Sequence, residues 1–151
     1  MIGYLKAKKI LEKSKIKISK ENINSSDSID RISAENIYTN VNYPAGNNSA
    51  FDGFAIKSKD TISLNSKKKK FFKIIKIIAA GDNPKIKNIK KFQTIEVMTG
   101  ALIPKSFDTV IPIEAIKFYP SSKNKKYIIV DKKISKNNHI RFKGSDFKKN
   151  E

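Results

Sequence analysis

From about residue 50 onward, short runs of β-branched and aromatic residues alternate with turn clusters, and this constrains the fold more than any other feature of the chain. "FFKIIKIIA" reads as a strand that ends at the turn "AGDNP". "TIEVMT" alternates, with Ile95 and Val97 on one face. "TVIPIEAI" reads as a strand carrying Pro112, which removes a backbone donor and so predicts an edge or a bulge. "KYIIV" and "NHIRF" are further strand candidates. "NSKKKK" and "YPSSKNKK" read as exposed loops. Strands this short and this frequent predict a small β-rich barrel or sandwich.

The first 45 residues have a different texture. Tyr4, Ala7, Leu11 and Ile18 recur at helical spacing, with Ile10 beside them and lysines opposite, which predicts an amphipathic helix from residue 4 to about 18. "IDRISAENIYTNVN" suggests a second short helix with Ile29, Ile32 and Ile37 on one face. The expected class is therefore α+β: short N-terminal helices, then a small barrel-like β domain. The end strands are expected to return toward the N-terminal region, a pairing that periodicity does not establish. The expected division is 1–45, 46–130 and 131–151.

Composition narrows the chemistry. The chain of 151 residues has no cysteine, so disulfides, thiolate metal sites and cysteine nucleophiles are excluded. His139 is the single histidine, which rules out a multi-histidine metal site. The most apolar run is interrupted by Lys73 and Lys76, and the N-terminus lacks the apolar core of a signal peptide. No membrane partner is expected, and the reading is cytoplasmic. The formal net charge of +18 raises nucleic acid as a partner. Against this, only two of the 32 basic residues, Arg31 and Arg141, are arginine, and the lysines spread along the whole chain. Lysine, isoleucine and asparagine, all with A/T-rich codons, are enriched together. The excess is read as compositional bias, with a basic nucleic-acid-binding domain as an alternative.

Two motifs carry possible chemistry. In "NNSAFDGFAI" the lysines stop, and Asp52 sits beside Gly53 between Phe51 and Phe54. Asn47, Asn48 and Ser49 favour turns, and glycine allows close backbone approach. A carboxylate presented there suits Mg²⁺ or a polar ligand, and equally an ordinary Asp-Gly turn entering a strand. In "VMTGALIP" a strand runs into Thr99-Gly100-Ala101, a hydroxyl with little bulk beside it. That suits an oxyanion or phosphate, or a tight turn whose threonine bonds to the backbone. Asp108 and Glu114, and then His139, Arg141 and Asp146, form two further polar groups. No Walker loop, GxGxxG or Ser/His/Asp set is present.

In order, "RISAENIYTNVNYPAGNNSAFDGFAI", "IIAAGDNP", "VMTGALIPKSFDTVIPIE" and "NHIRFKGSDFKKNE" resemble the blocks of the molybdopterin molybdenumtransferase (MoeA) family, related to the E domain of gephyrin. The resemblance runs from about residue 4 to Glu151. It implies an enzyme that inserts molybdenum from molybdate into adenylyl-molybdopterin with release of AMP, dependent on Mg²⁺ and working as a homodimer across a subunit cleft. It carries over Asp52 as a catalytic and metal-binding residue and Thr99 as a catalytic cleft residue. Ser49, Gly53 and Gly100 are carried over as shaping the cofactor-binding loops. Arg141 and Asp146 are expected to be linkage or interface structure. The chain departs from the family pattern at Ala45-Gly46-Asn47, Phe51, Phe54, Ser106-Phe107 and Asn150. It also stops where the family begins its pterin-binding domain, so it is expected to be an N-terminal fragment inactive by itself. A non-catalytic dimerisation or binding module is the other alternative.

Overall fold

β2 (Gly53–Ile56) is the strand about which the fold is organised, because it is buried at all four positions and paired along both edges. The computed structural model describes residues 1–14 and 18–151. They divide into two units, 1–37 and 38–151.

In the larger unit, β3 (Lys70–Ile78), β4 (Gln93–Val97), β5 (Thr109–Pro112), β6 (Lys117–Ser121) and β7 (Asn124–Val130) join β2 in one curled sheet. Its order is β5-β2-β4-β3-β7-β6. All pairings are antiparallel except β3 with β4. β1 (Asn48–Ser49) and β8 (Ile140–Arg141) form a separate two-stranded sheet. β8 is the strand expected in "NHIRF". It pairs Ser49 with Ile140, while Phe147 bridges to Tyr43.

Both faces of the curled sheet carry an apolar cluster, so β2 is buried at every position, while β3, β6 and β7 also carry exposed lysines. One face gathers Ala55, Ile78, Ile95, Val97 and Val110, closed over by Ala101, Ile103 and Phe107 from a loop. The other gathers Phe54, Ile56, Phe72, Ile111, Ile128 and Val130 inside the half-barrel. Ile95 and Val97 share a face, as their alternation predicts. Each large side chain fully buried here stabilises the fold by about 1.5–3 kcal/mol before entropy is counted.

Pro112 ends β5, which is an edge strand, as the missing donor requires. "YPSSKNKK" is not a loop. It is most of a hairpin, with β6 and β7 joined across Ser122 and Lys123. Pro120 is tolerated because β6 is the other edge and the register shifts between Tyr119 and Pro120.

The smaller unit holds one α-helix, α1 (Tyr4–Lys13). It ends earlier than the spacing predicts: Ser14 is extended, and Ile18 lies outside the helix. The part of the predicted helix over 15–17 lies outside the described residues. The second predicted helix does not form. Ser25–Asp27 is a single 3-10 turn, and Ile29, Ile32 and Ile37 are exposed along irregular chain. Serine, asparagine, threonine and isoleucine are weak helix formers, and no buried surface compensates for that weakness. Among the described residues, no helix is long and apolar enough to cross a membrane.

Candidate functional site

Asp52 sits on the link between β1 and β2, and Thr99 lies just past the end of β4. The two strands on which they ride are hydrogen-bonded neighbours, with Gly53 opposite Val97. Residues 47 apart in sequence thereby meet at the end of one strand pair. The Asp52 Oδ1 accepts the backbone N–H of Thr99 at 2.6 Å and its hydroxyl at 2.7 Å. These two donors, backbone first, hold the Asp52 carboxyl below its usual pKa of 3.8. Among the described residues no donor reaches Oδ2, and the carboxylate faces solvent. The pair thus offers an ionised group with one oxygen committed and one available.

The support is mostly backbone. The Asp52 carbonyl accepts from Ile113 N–H at 3.0 Å, and Ala50 N–H donates to the His139 carbonyl at 3.0 Å. The Phe51 ring stands edge-on to the His139 imidazole, centroids 5.0 Å apart. On the threonine side, Gly100 adopts φ +80°, which lets the chain reverse directly after Thr99. Gly100 N–H then donates to the Ser49 carbonyl at 2.9 Å, and Ser49 N–H to the Ala101 carbonyl at 3.0 Å. The two candidate loops are therefore zipped together by backbone hydrogen bonds.

The remaining candidates take defined places. Ser49 is fully buried, its hydroxyl donating to the Phe51 carbonyl at 2.5 Å, so it pins the loop that presents Asp52. A side chain at Gly53 would collide with the Ile111 carbonyl of β5, so the close approach its glycine permits is to backbone. Arg141, in β8, pairs with Asp146 at 2.5 Å. Asp108 lies away from this pair, accepting from Ser58 N–H at 2.7 Å and from the Ser58 hydroxyl at 2.8 Å. Glu114 falls in a 3-10 turn after β5.

Sequence reasoning missed the Ser58–Asp108 clamp and the bond from Lys143 N–H to Asn47 Oδ1 at 2.9 Å. Neither has a local signal, because the partners are far apart in sequence and each residue type is common in turns. The pairing of Asp52 with Thr99 was equally invisible to periodicity.

Among the described residues, no group of three or more His, Asp or Glu side chains could enclose a metal ion. Asp52 can supply one hard oxygen. That fits Mg²⁺ in the form in which one or two carboxylates share the ion with water and substrate phosphates. It does not amount to a closed cage.

The chain resembles several known proteins. It is 36% identical over 113 residues to a molybdopterin molybdenumtransferase of Staphylococcus epidermidis, which covers 75% of this chain and 27% of that protein. It is 31% identical over 123 residues to the Bacillus subtilis molybdopterin molybdenumtransferase, covering 82% of this chain and 28% of that one. Among solved structures, the molybdopterin biosynthesis moeA protein of Pyrococcus horikoshii superimposes with a TM-score of 0.77 at 29% identity, covering 87% of this chain and 33% of its own. The chain thus spans little more than a quarter of the length of these curated relatives. Residues 3–151 match the family described as the MoeA N-terminal region (domain I and II), and the chain belongs to that family.

Proposed function

We propose that this chain supplies one wall of an active site that inserts molybdenum from molybdate into adenylyl-molybdopterin, releasing AMP. The observation that carries the reading is the Asp52–Thr99 pair, an exposed carboxylate kept ionised by two donors from a single residue and left with a free oxygen. The names of the relatives support the substrate class.

The chemistry follows from what each group can do. Adenylyl-molybdopterin and molybdate are both anionic, so a bare carboxylate beside them is repulsive unless a cation lies between. Bound Mg²⁺ would supply that neutralising charge, and Asp52 Oδ2 is the atom of this chain that would hold it. Thr99 fixes the carboxylate through Oδ1, which leaves Oδ2 aimed by the loop rather than free to rotate. Its hydroxyl donates to Asp52, so its own oxygen can still accept a hydrogen bond from a substrate group. Ser49, Gly53 and Gly100 act by shaping the two loops.

Among the described residues, Asp52 belongs to no group of three or more acidic or histidine side chains able to hold a metal. The 151-residue chain by itself is therefore expected not to insert molybdenum. The proposed arrangement is a cytoplasmic homodimer in which a pterin-binding domain completes the site. α1 is consistent with assembly, since Tyr4, Leu5, Ile10 and Leu11 are all at least half exposed and none of its residues is buried.

The test is a chimera in which residues 38–151 replace the equivalent segment of the S. epidermidis enzyme. Molybdenum insertion is measured before and after Asp52→Asn, which keeps the shape of the side chain and removes its charge. A fall of about 100-fold or more is expected, the scale on which loss of an electrostatic group is felt in a catalytic site. Unchanged insertion in the Asn variant refutes the assignment of Asp52.

A further inference from the structure

A cavity of about 740 Å³ opens beside the loop that follows Thr99, and neither Asp52 nor Thr99 lines it. Its apolar wall is made by Ile86, Leu102, Phe107, Ile140 and Phe142. Leu102 is 36% and Phe142 42% exposed, so the wall is not sealed by the chain's own side chains. Lys85, Lys105, Lys136 and Lys143 also line the cavity. A smaller depression shares Lys105, Ser106, Asp108 and Lys136 with it and adds Lys57 and Lys59. Both hollows are thus parts of one basic concavity.

The charge in this concavity is unbalanced. Among the described residues, Asp108 is the one acidic side chain lining either hollow, and its two oxygens are engaged by Ser58. Among the described residues, none of the six lysines forms an ion pair. Lys57 donates to the Ile89 carbonyl at 2.8 Å, which fixes its position without neutralising it. Like charges around a concave apolar wall concentrate the field and draw in a counter-anion. A general lysine excess explains positive charge on convex surface. It does not explain an open apolar hollow with cations around it.

Two departures from the family's sequence pattern fall at this place. Gly46 stands in the segment where Ala45-Gly46-Asn47 departs from the family, and a side chain there would run into Leu102. Phe107 stands in the departure Ser106-Phe107; it is 4% exposed, packs in the core and lines the cavity.

The geometry points to a binding site for a small amphipathic organic anion, with an aryl or short acyl body against Leu102 and Phe142 and an acidic head between Lys105 and Lys136. The volume is that of an ordinary small-molecule pocket, and an apolar lining with a few polar groups is the usual form of one. This assignment does not rest on the reading of Asp52 and stands or falls separately.

The test uses the 151-residue chain and naphthalene-1-sulfonate as probe, followed by titration calorimetry and by backbone amide shifts. One saturable site is expected, with the largest shifts at Leu102, Lys105 and Phe142. The double variant Lys105→Glu/Lys136→Glu is expected to bind about tenfold or more weakly, since it sets two like charges against the sulfonate. Lys123→Glu/Lys126→Glu makes the same change in net charge on the β6–β7 hairpin and is expected to leave binding unchanged. If the first double variant fails to fold, Lys105→Gln/Lys136→Gln takes its place, with the loss again confined to it.

Equal losses in both charge variants would reduce the effect to net charge and overturn the assignment. Binding of a naphthyl trimethylammonium cation as tightly as the sulfonate would show an apolar patch without anion selectivity. Inorganic phosphate binding as tightly as the probe would show a bare anion site. Release of the probe on self-association of the chain would identify a second copy as the occupant. Each of these results refutes the small amphipathic anion.

Discussion

Gly53→Ala is the substitution that most directly couples the fold to the candidate site. Gly53 lies in β2 between β4 and β5, opposite Val97 on one side and Pro112 on the other. A methyl group there falls on the carbonyl oxygen and carbon of Ile111 and comes within 3.1 Å of the Pro112 Cα. All three atoms are backbone, so no rotamer change relieves the clash, and β5 must move away from β2. Forced overpacking of this kind costs about 1–3 kcal/mol. Moving β5 also strains the bond from Ile113 N–H to the Asp52 carbonyl, and a hydrogen bond lost at such a seam adds about 1 kcal/mol. The expected cost is about 2–4 kcal/mol, read by urea denaturation as a midpoint lower by roughly 1–2 M for an ordinary slope. Gly3→Ala is the control, since nothing lies within 4 Å of the added carbon. In the chimera, Gly53→Ala is expected also to lower molybdenum insertion under conditions where the protein is still folded, because Asp52 is the adjacent residue. A stability loss below about 0.5 kcal/mol, the range of an ordinary surface change, would show that β5 yields freely and refute the reasoning.

Phe54→Ala removes a fully buried ring that packs edge-on against Phe118 with centroids 5.6 Å apart, and is expected to cost about 3–5 kcal/mol in the same denaturation experiment. Ser58→Ala takes one donor from Asp108 and is expected to destabilise by about 1–2 kcal/mol, with Ser58→Thr restoring most of it. The carboxyl carbon of Asp52, followed by NMR, is expected to titrate below an exposed aspartate, and Thr99→Val to bring it upward by removing the hydroxyl donor. The sign of the linked stability follows. A folded-state pKa below the unfolded value of 3.8 means that the contribution is fully present above that value and is lost as pH falls through the folded pKa. Thr99→Val should therefore lose stability at neutral pH and converge with the parent at strongly acid pH.

The sheet was legible where strand patterns are local. "FFKIIKIIA" and "TIEVMT" became β3 and β4 because a β-branched run bounded by turn residues has few other ways to satisfy its backbone. The proline rule worked at Pro112, whose strand is an edge. At Pro120 the proline and its polar neighbours suggested a loop, whereas position decided otherwise: an edge strand with a register shift accommodates a residue without a donor. The N-terminal region failed for a different reason. Ile29, Ile32 and Ile37 have the right spacing, but spacing only predicts a helix where something buries the face, and these three residues remain exposed.

The candidate site shows the same division between local and long-range information. Asp52 and Thr99 each sat in a motif with an equally ordinary turn reading, and nothing in either motif says that the two meet. What brings them together is register: Gly53 pairs with Val97, and the chain runs one residue back from the first and two residues on from the second to reach each other's side chains. Register is set by burial of the strands' apolar residues, so the hydrogen bonds that aim Asp52 depend on side chains that never touch it. Phe54, Ile95 and Val97 act on the site through strand alignment, since a slip of one residue would turn their side chains to the opposite faces and separate Asp52 from its donors. A charge-neutral change in this core is thus able to abolish the paired carboxylate, whereas a change of many surface lysines leaves it in place.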